Sequence, residues 1–490
     1  MFVKPRQQKA IHKPFSIIWR YIIFMTLTLT CIMAGIITAL LQLQSVHAAA
    51  GDWPTYLGNQ THSGFNKYET TINPSSAPNL KLHWTSQAGG YIYANNISAQ
   101  PVEANGLVYW GSWDGIEHAT GLNGQQAWQT GLGYTYSAQC NSLTGIAGAA
   151  TFANIKTGGT TAPMLFVGGG NDNFYALNAN TGAIIWNTPL GTQPDNFIWS
   201  SPTLYKGSIY IGLSSYGDCP LVQGKLFKLS ASTGAIQHIF NVVPNGCTGG
   251  SIWGSPTVDT TDGTLYFATG NDGSCSTTEP YATALVKLRA SDLSYMSSWK
   301  VPLTQQINDS DFGSTPMLFN AVIGGVSRPL LGIANKNGIY YAFDRSSINN
   351  GPVWSVQVAT IGGGCGPNCG DGSISPSAWD GKTLYVAGGQ TTIGGVNCKG
   401  SLRAIYPSTG NFKWEHCLND GPVLGAVSAV PGVAVIGEGN TFVLVATSNG
   451  RTLYTYTDSN SNSFFFAPAS ISGGVLYIGN FDGNFYAFGL

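Results

Sequence analysis

The chain has 490 residues, of which 9% are Asp, Glu, Lys or Arg and 12% aromatic, with 64 glycines. So few charges exclude an architecture of long solvent-exposed helices, and so many glycines and aromatics suit short strands joined by tight turns. Setting aside Lys4, Arg6, Lys9, Lys13 and Arg20, the remaining 17 Lys+Arg face 23 Asp+Glu, a net charge of −6 that argues against a nucleic-acid partner.

Residues 1–50 open with those five cations and no acid, continue as an uncharged apolar run from Tyr21 to Leu43, and end in VHAAA. This is an export signal. The small residues around Val46, Ala48 and Ala50 fit cleavage, and the length of the run equally fits a retained membrane tether. Cys31 is apolar filler within it. Either way the mature part is extracytoplasmic. There the even set of eight cysteines, Cys140, Cys219, Cys247, Cys275, Cys365, Cys369, Cys398 and Cys417, reads as disulfides. Proximity within one repeat favours Cys365 with Cys369 and Cys398 with Cys417, and sequence alone does not fix the connectivity. The run CGPNC has neither the spacing nor the His of a c-type haem site, and no zinc spacing occurs.

Residues 51–77 form a lead-in, and 78–490 form an array. Eight copies of a strand, a Gly-rich turn and a second strand begin at Val108, Leu165, Ile209, Leu265, Leu331, Leu384, Val443 and Leu476. A period near fifty residues, with Asp-Gly and Asn-Gly turns, marks radial β-repeats, each unable to bury its inner face alone. The fold is therefore all-β, an eight-bladed propeller. The last copy ends at Leu490 without a closing strand, and the unpaired stretch from Leu80 to Trp84 is the segment expected to complete it and lock the circle. Short runs such as IWSSPTL, IWGSPTV and FGSTPML precede the copies. Their small residues fit inner strands converging on a narrow axis. Trp128, Trp186, Trp299, Trp354 and Trp414 end copies and are expected between blades.

With repeats of the form YxGxxDGxxYALDAxTGxxxW, the chain from Asp52 to Leu490 resembles the eight-bladed quinoprotein propellers, whose dehydrogenases use pyrroloquinoline quinone (PQQ). DWPTYLGNQTHSGFN, from Asp52, is similar to the opening of exported members. The resemblance implies roles for particular residues. In GGSIWGSPTVD, Trp253 would be the plate beneath the quinone, where the plain alternative is a core Trp like Trp199. In LYFATGNDGS, Asn271 would be a calcium ligand, where the alternative is a turn residue. In NDSDFGSTP, Asp311 would be both the catalytic base and a metal ligand, with Asp309 beside it on the same strand face. Lys336 in ANKNGIYYAFDR would hydrogen-bond the quinone, where the alternative is an ion pair with the aspartates. The family's metal-binding Glu is expected within LSSYGDCPLVQGKL, where this chain has Asp218 beside Cys219 rather than a Glu at the matching place, so Asp218 would serve only with a shift of the loop. Cys140 stands alone near the place of a vicinal Cys pair.

Two functions follow. The first is an exported dehydrogenase oxidising a small alcohol with PQQ and Ca2+ and passing electrons to an external acceptor. The second is a non-catalytic secreted or surface scaffold binding protein or glycan, because repeat pattern alone does not fix activity. No GxSxG elbow supports a serine hydrolase.

Overall fold

The computed structural model describes residues 1–3, 51–89, 95–157, 159–275, 279–361 and 366–490. All but three residues of the export segment, Cys31 included, lie outside the described residues, as does Cys365 and with it the expected Cys365–Cys369 pairing. Among the described residues no helix is long and apolar enough to cross a membrane.

Among the described residues, eight antiparallel sheets of four main strands follow one another as blades spanning 102–131, 151–189, 203–241, 257–300, 317–357, 378–418, 428–457 and 470–489. The eighth takes its outermost strand from the other end of the chain: Lys81–Gln87 pairs with Asn484–Gly489, from Lys81 opposite Gly489 to Gln87 opposite Asn484, with a register shift between Leu82 and Trp84. The seventh copy starts one strand earlier than its sequence suggests. Val433–Glu438 is its second strand and Thr441–Ala446, which contains Val443, its third, because the tight Gly439–Asn440 turn hides the boundary inside one long apolar run.

The core is not a single mass but a set of layers between blades. One cluster joins Tyr109 and Ala119 of the first blade to Leu165 and Leu177 of the second, and another joins Val435 and Leu444 of the seventh to Leu476 and Phe488 of the eighth. Each fully buried Leu or Phe contributes roughly 1.5–3 kcal/mol. The closing tryptophans lock these layers. The indole N–H of Trp128 donates to Ala179 O (2.9 Å), that of Trp354 to Pro407 O (2.9 Å) and that of Trp414 to Thr447 O (2.9 Å), each carbonyl on the next blade. Trp84 does the same from the eighth blade to Leu122 O of the first (3.0 Å). Opposite each ring sits a turn glycine. At Gly182 (φ 72°) a Cβ would come within 2.6 Å of Trp128, so glycine is required both for the turn and for the contact.

The small residues near the axis have a second use besides close approach. Thr203 Oγ1 donates to Pro256 O, Thr257 Oγ1 to Pro316 O and Ser428 Oγ to Ala469 O, so each inner strand is bonded to the segment entering the next. Ser470 Oγ closes the circle by donating to Pro101 O.

The lead-in does not trail outside the ring. It runs round one mouth of the hub in blade order, bonding Trp53 N to Glu103 O, Phe152 N to Pro54 O, Val258 N to Gln60 O, Leu318 N to Thr61 O, Trp379 N to Ser63 O and Ala429 N to Gly64 O. Asn66 Nδ2 reaches Ile471 O of the eighth blade (2.9 Å). Seven of the eight blades are thereby tied to one short segment.

Candidate active site

The stretches before the inner strands line a central cavity of about 150 Å3, with Ser98, Ala147, Trp199, Trp253, Gly313, Ile374, Leu424 and Phe466 contributed in blade order and Tyr56 from the lead-in. Trp199 and Trp253 were equivalent in the sequence, and the structure separates them. The indole N–H of Trp199 is bonded back to its own blade, at Ser215 O (3.3 Å) and Tyr216 O (3.1 Å). That of Trp253 is buried with no hydrogen-bond partner among the described residues. Its ring lies over the next blade's Gly313, where a Cβ would fall 2.0 Å from Trp253 Cη2. Glycine at 313 is what lets the indole extend sideways.

Beside that ring stands a charged cluster from the fourth and fifth blades. Lys336 sits in the turn between strands Val326–Ala334 and Ile339–Asp344, which closes by Asn335 N to Ile339 O (3.1 Å) and Gly338 N to Asn335 O (2.9 Å). Its Nζ contacts Asp309 Oδ1 and Oδ2 at 2.8 and 2.9 Å and Asp311 Oδ2 at 3.3 Å. The same ammonium lies 5.0 Å from the centre of the Trp253 ring, a cation–π contact. Asn271 donates its backbone N–H to Asp311 Oδ1 (2.5 Å) and its side-chain Nδ2 to Asp309 Oδ1 (3.0 Å). With its nitrogen so used, the amide oxygen of Asn271 remains the group available for a cation.

The two acids are not on a strand face as the spacing suggested. Asp309 occupies a turn and Asp311 irregular chain ahead of strand Met317–Ile323. They converge because Lys336 N also bonds Asp311 O (3.1 Å) and Asn335 Nδ2 bonds Ser310 O (2.7 Å), fastening this segment to the turn. The side chains of Lys336 and Asp311 are 13% and 10% exposed, that of Asp309 42%, so the cluster opens toward solvent on the Asp309 side.

Burial raises the Asp311 carboxyl above the ordinary aspartate range, opposed by Lys336 and reinforced by Asp309 and Asp218. Burial works to lower the Lys336 ammonium, but Asp311 and Asp309 outweigh it and hold its pKa above the usual lysine value. Asp218, exposed at the rim, is raised by lost hydration, against Lys336 and with Asp309. Asp309, Asp311 and Asp218 against Lys336 leave an excess of two negative charges. Hard oxygen donors with an excess of two negative charges fit a divalent cation such as Ca2+, and the Trp253 ring over Gly313 fits a flat partner.

The cysteines are joined as Cys140–Cys219, Cys247–Cys275 and Cys398–Cys417. The last is the expected pair. Cys140 is therefore not solitary: it is bonded to the neighbour of Asp218. Sequence reasoning also missed Gly313 and Tyr56, although the IWGSPTV and FGSTPML alignment sets Gly313 opposite Trp253.

Comparison with known proteins agrees with this architecture. A family profile described as outer membrane protein assembly factor BamB matches residues 114–280. The quinohemoprotein alcohol dehydrogenase of Comamonas testosteroni is 24% identical over 344 residues, 61% of this chain and 46% of that protein. A polyvinylalcohol dehydrogenase of a Pseudomonas species is 24% identical over 359 residues, 61% of this chain and 53% of that one. The chain thus spans about half the length of these curated relatives. Among solved structures, the Comamonas enzyme superposes with a TM-score of 0.69 at 18% identity, covering 91% of this chain and 81% of that one. A europium-containing methanol dehydrogenase gives 0.70 at 15% identity, covering 90% and 98%. BamB from Moraxella catarrhalis gives 0.54 at 15% identity, covering 84% and 100%. The fold is that of the quinoprotein-type eight-bladed propellers built from PQQ-like repeats.

Proposed function

We propose that the protein is an exported dehydrogenase that oxidises an alcohol with PQQ and Ca2+ and passes the electrons to an external acceptor. One observation carries the reading: a single ammonium, Lys336 Nζ, bonds both Asp309 and Asp311 while lying over the face of Trp253. Repeat geometry does not demand that arrangement, and the alcohol dehydrogenases among the relatives support it. When bound, the quinone supplies the two-electron acceptor and the cation a Lewis acid.

The chain's own residues do the rest. Trp253 offers a flat apolar face, kept level by Gly313. Asn271 Oδ1, Asp311 and Asp218 would be the oxygen donors for the cation. Asp311 would take the hydroxyl proton of the alcohol on its carboxylate, and the burial that raises its pKa makes it a stronger base than a solvated aspartate. Lys336, held cationic by both aspartates, orients them and would donate to the quinone. The disulfides suit an oxidising, extracytoplasmic compartment.

The test is absorbance and mass spectrometry of the native exported protein for quinone and calcium, followed by dye reduction with added PQQ, Ca2+ and a panel of alcohols. Bound or acquired quinone and an activity that drops roughly a thousandfold in Asp311→Asn support the reading. Protein that takes up neither group and reduces no dye with any alcohol ends it. The match of residues 114–280 to an assembly-factor profile favours a second reading, a non-catalytic scaffold for protein or glycan, which that negative result would select.

A further inference from the structure

Three loops bear the cluster, and hydrogen bonds stitch them in series. Gly249 N donates to Val222 O and Gly224 N to Gly249 O, both at 3.0 Å, joining the loop of Asp218 to the segment leading into Trp253. Gly250 N donates to Asn271 O (2.8 Å), joining that segment to the cation donor of the fourth blade. The outer end of the series, 216–221, has Tyr216 buried and Asp218 and Pro220 exposed.

Besides bonds within the third blade, from Trp199 Nε1 to Tyr216 O and from Val222 N to Ser215 Oγ, it is anchored from outside. A small hairpin, Thr135–Ser137 paired with Ser142–Thr144, is inserted between the first and second blades. It holds the outer end twice, through Thr144 Oγ1 with Tyr216 OH (2.8 Å) and through Cys140–Cys219. The hairpin is itself fixed by Thr135 Oγ1 to Gly170 O (2.7 Å) and by Gln193 Nε2 to Tyr134 O (2.9 Å). Gly217 packs on the disulfide so closely that a Cβ would meet Cys140 Sγ at 3.1 Å and Cys219 Sγ at 3.2 Å. Asp218 is thus gripped on both sides, by the sulfurs against residue 217 and by the covalent bond at 219.

We propose that the Cys140–Cys219 disulfide is a positioning device for the cation site, holding the loop of Asp218 against the bonded series that runs through Gly249 and Gly250 to Asn271, so that Asp218 serves as the third carboxylate. This rests on the reading of the cluster as a cation site. Aspartate is a short ligand whose reach is set by its backbone, and a loop end free to swing outward would carry its carboxylate into water. The disulfide removes that freedom. Because the thiol state of Cys140 and Cys219 then sets cation affinity, two-electron reduction by an external dithiol, giving two thiols from the one bond, weakens the site without opening a blade.

Calcium titration of the full purified chain by calorimetry tests the proposal with four proteins: the parent, Asp218→Asn, Cys140→Ser with Cys219→Ser, and the three changes together. We expect the Kd for Ca2+ to rise about tenfold or more in each of the first two variants, and no further in the combined one, because both remove the same ligand. Cys398→Ser with Cys417→Ser, on the sixth blade, leaves the Kd unchanged. A disulfide variant that binds Ca2+ like the parent, or losses that add in the combined variant, overturns the proposal while leaving the cation site standing. A parent that binds no Ca2+ overturns the cation site and the proposal together. Should the cysteine variant fail to fold, Gly217→Ala keeps the bond but crowds it. A Kd raised at least threefold is expected there, and an unchanged Kd with an unchanged melting point sinks the idea.

Discussion

The fifth and eighth blades contain the same turn with opposite contents. In the fifth, Asn335 N bonds Ile339 O at 3.1 Å and Gly338 N bonds Asn335 O at 2.9 Å; in the eighth, Asn480 N bonds Asn484 O at 3.0 Å and Gly483 N bonds Asn480 O at 3.2 Å. At the matching position one turn presents Lys336 and the other Phe481. Around Lys336 gather two aspartates; around Phe481 gather aromatic rings, with Phe466 centred 4.4 Å away and Trp113 5.4 Å away. The backbone therefore supplies the same socket in both blades, and chemistry is a matter of which side chain it receives. An ammonium can gather carboxylates that an aromatic ring in the same place would leave stranded.

The severest way to break this contrast is Lys336→Met, which makes the fifth turn as apolar as the eighth. Asp311 then loses its cation, and we expect dye-linked activity to fall several hundredfold and stability by about 3 kcal/mol, measured by urea unfolding. Lys336→Arg should restore stability ahead of activity, since a planar fork keeps the charge but changes the reach. Next in size is Gly313→Ala. The added methyl meets Trp253, so the indole must leave its place, and a loss near a hundredfold in quinone-dependent activity is expected, with altered Trp fluorescence and an intact fold.

The contrast sharpens at another repeat position. Seven copies put Phe174, Leu226, Leu285, Tyr340, Leu402, Phe442 and Phe485 opposite a Gly or Ala of the neighbouring strand; the first copy puts Glu117 there, opposite Gly111. Glu117 is 1% exposed, neither carboxyl oxygen has a partner among the described residues, and burial pushes its pKa up to about 8. Between the ordinary glutamate value and about 8 the folded protein keeps a proton that the unfolded chain gives up, so stability falls as pH rises through that window. Glu117→Leu should flatten the fall and add about 2 kcal/mol at pH 8, read from melting curves between pH 5 and 8. The smallest effect belongs to Phe481→Leu, for which we expect less than about a threefold change in activity. A large loss there would mean that the aromatic side of the hub also touches substrate.

Much of this was legible in the chain. The copies show the blades, the Trp and Gly positions show how they dock, and Asp311 and Lys336 stand out because the other copies lack charges there. Three features were hidden for physical reasons. The Cys140–Cys219 bond spans 79 residues, a separation at which sequence proximity says nothing. The acids converge through backbone bonds of an irregular segment, to which a strand's two-residue alternation does not apply. The lead-in has no periodicity because each of its residues answers to a different blade.

That lead-in acts as a strap across the ring: because one short segment is bonded to seven blades, a single cut within it releases several of them at once, and the ring's resistance to unwinding rests partly on a stretch that belongs to no blade.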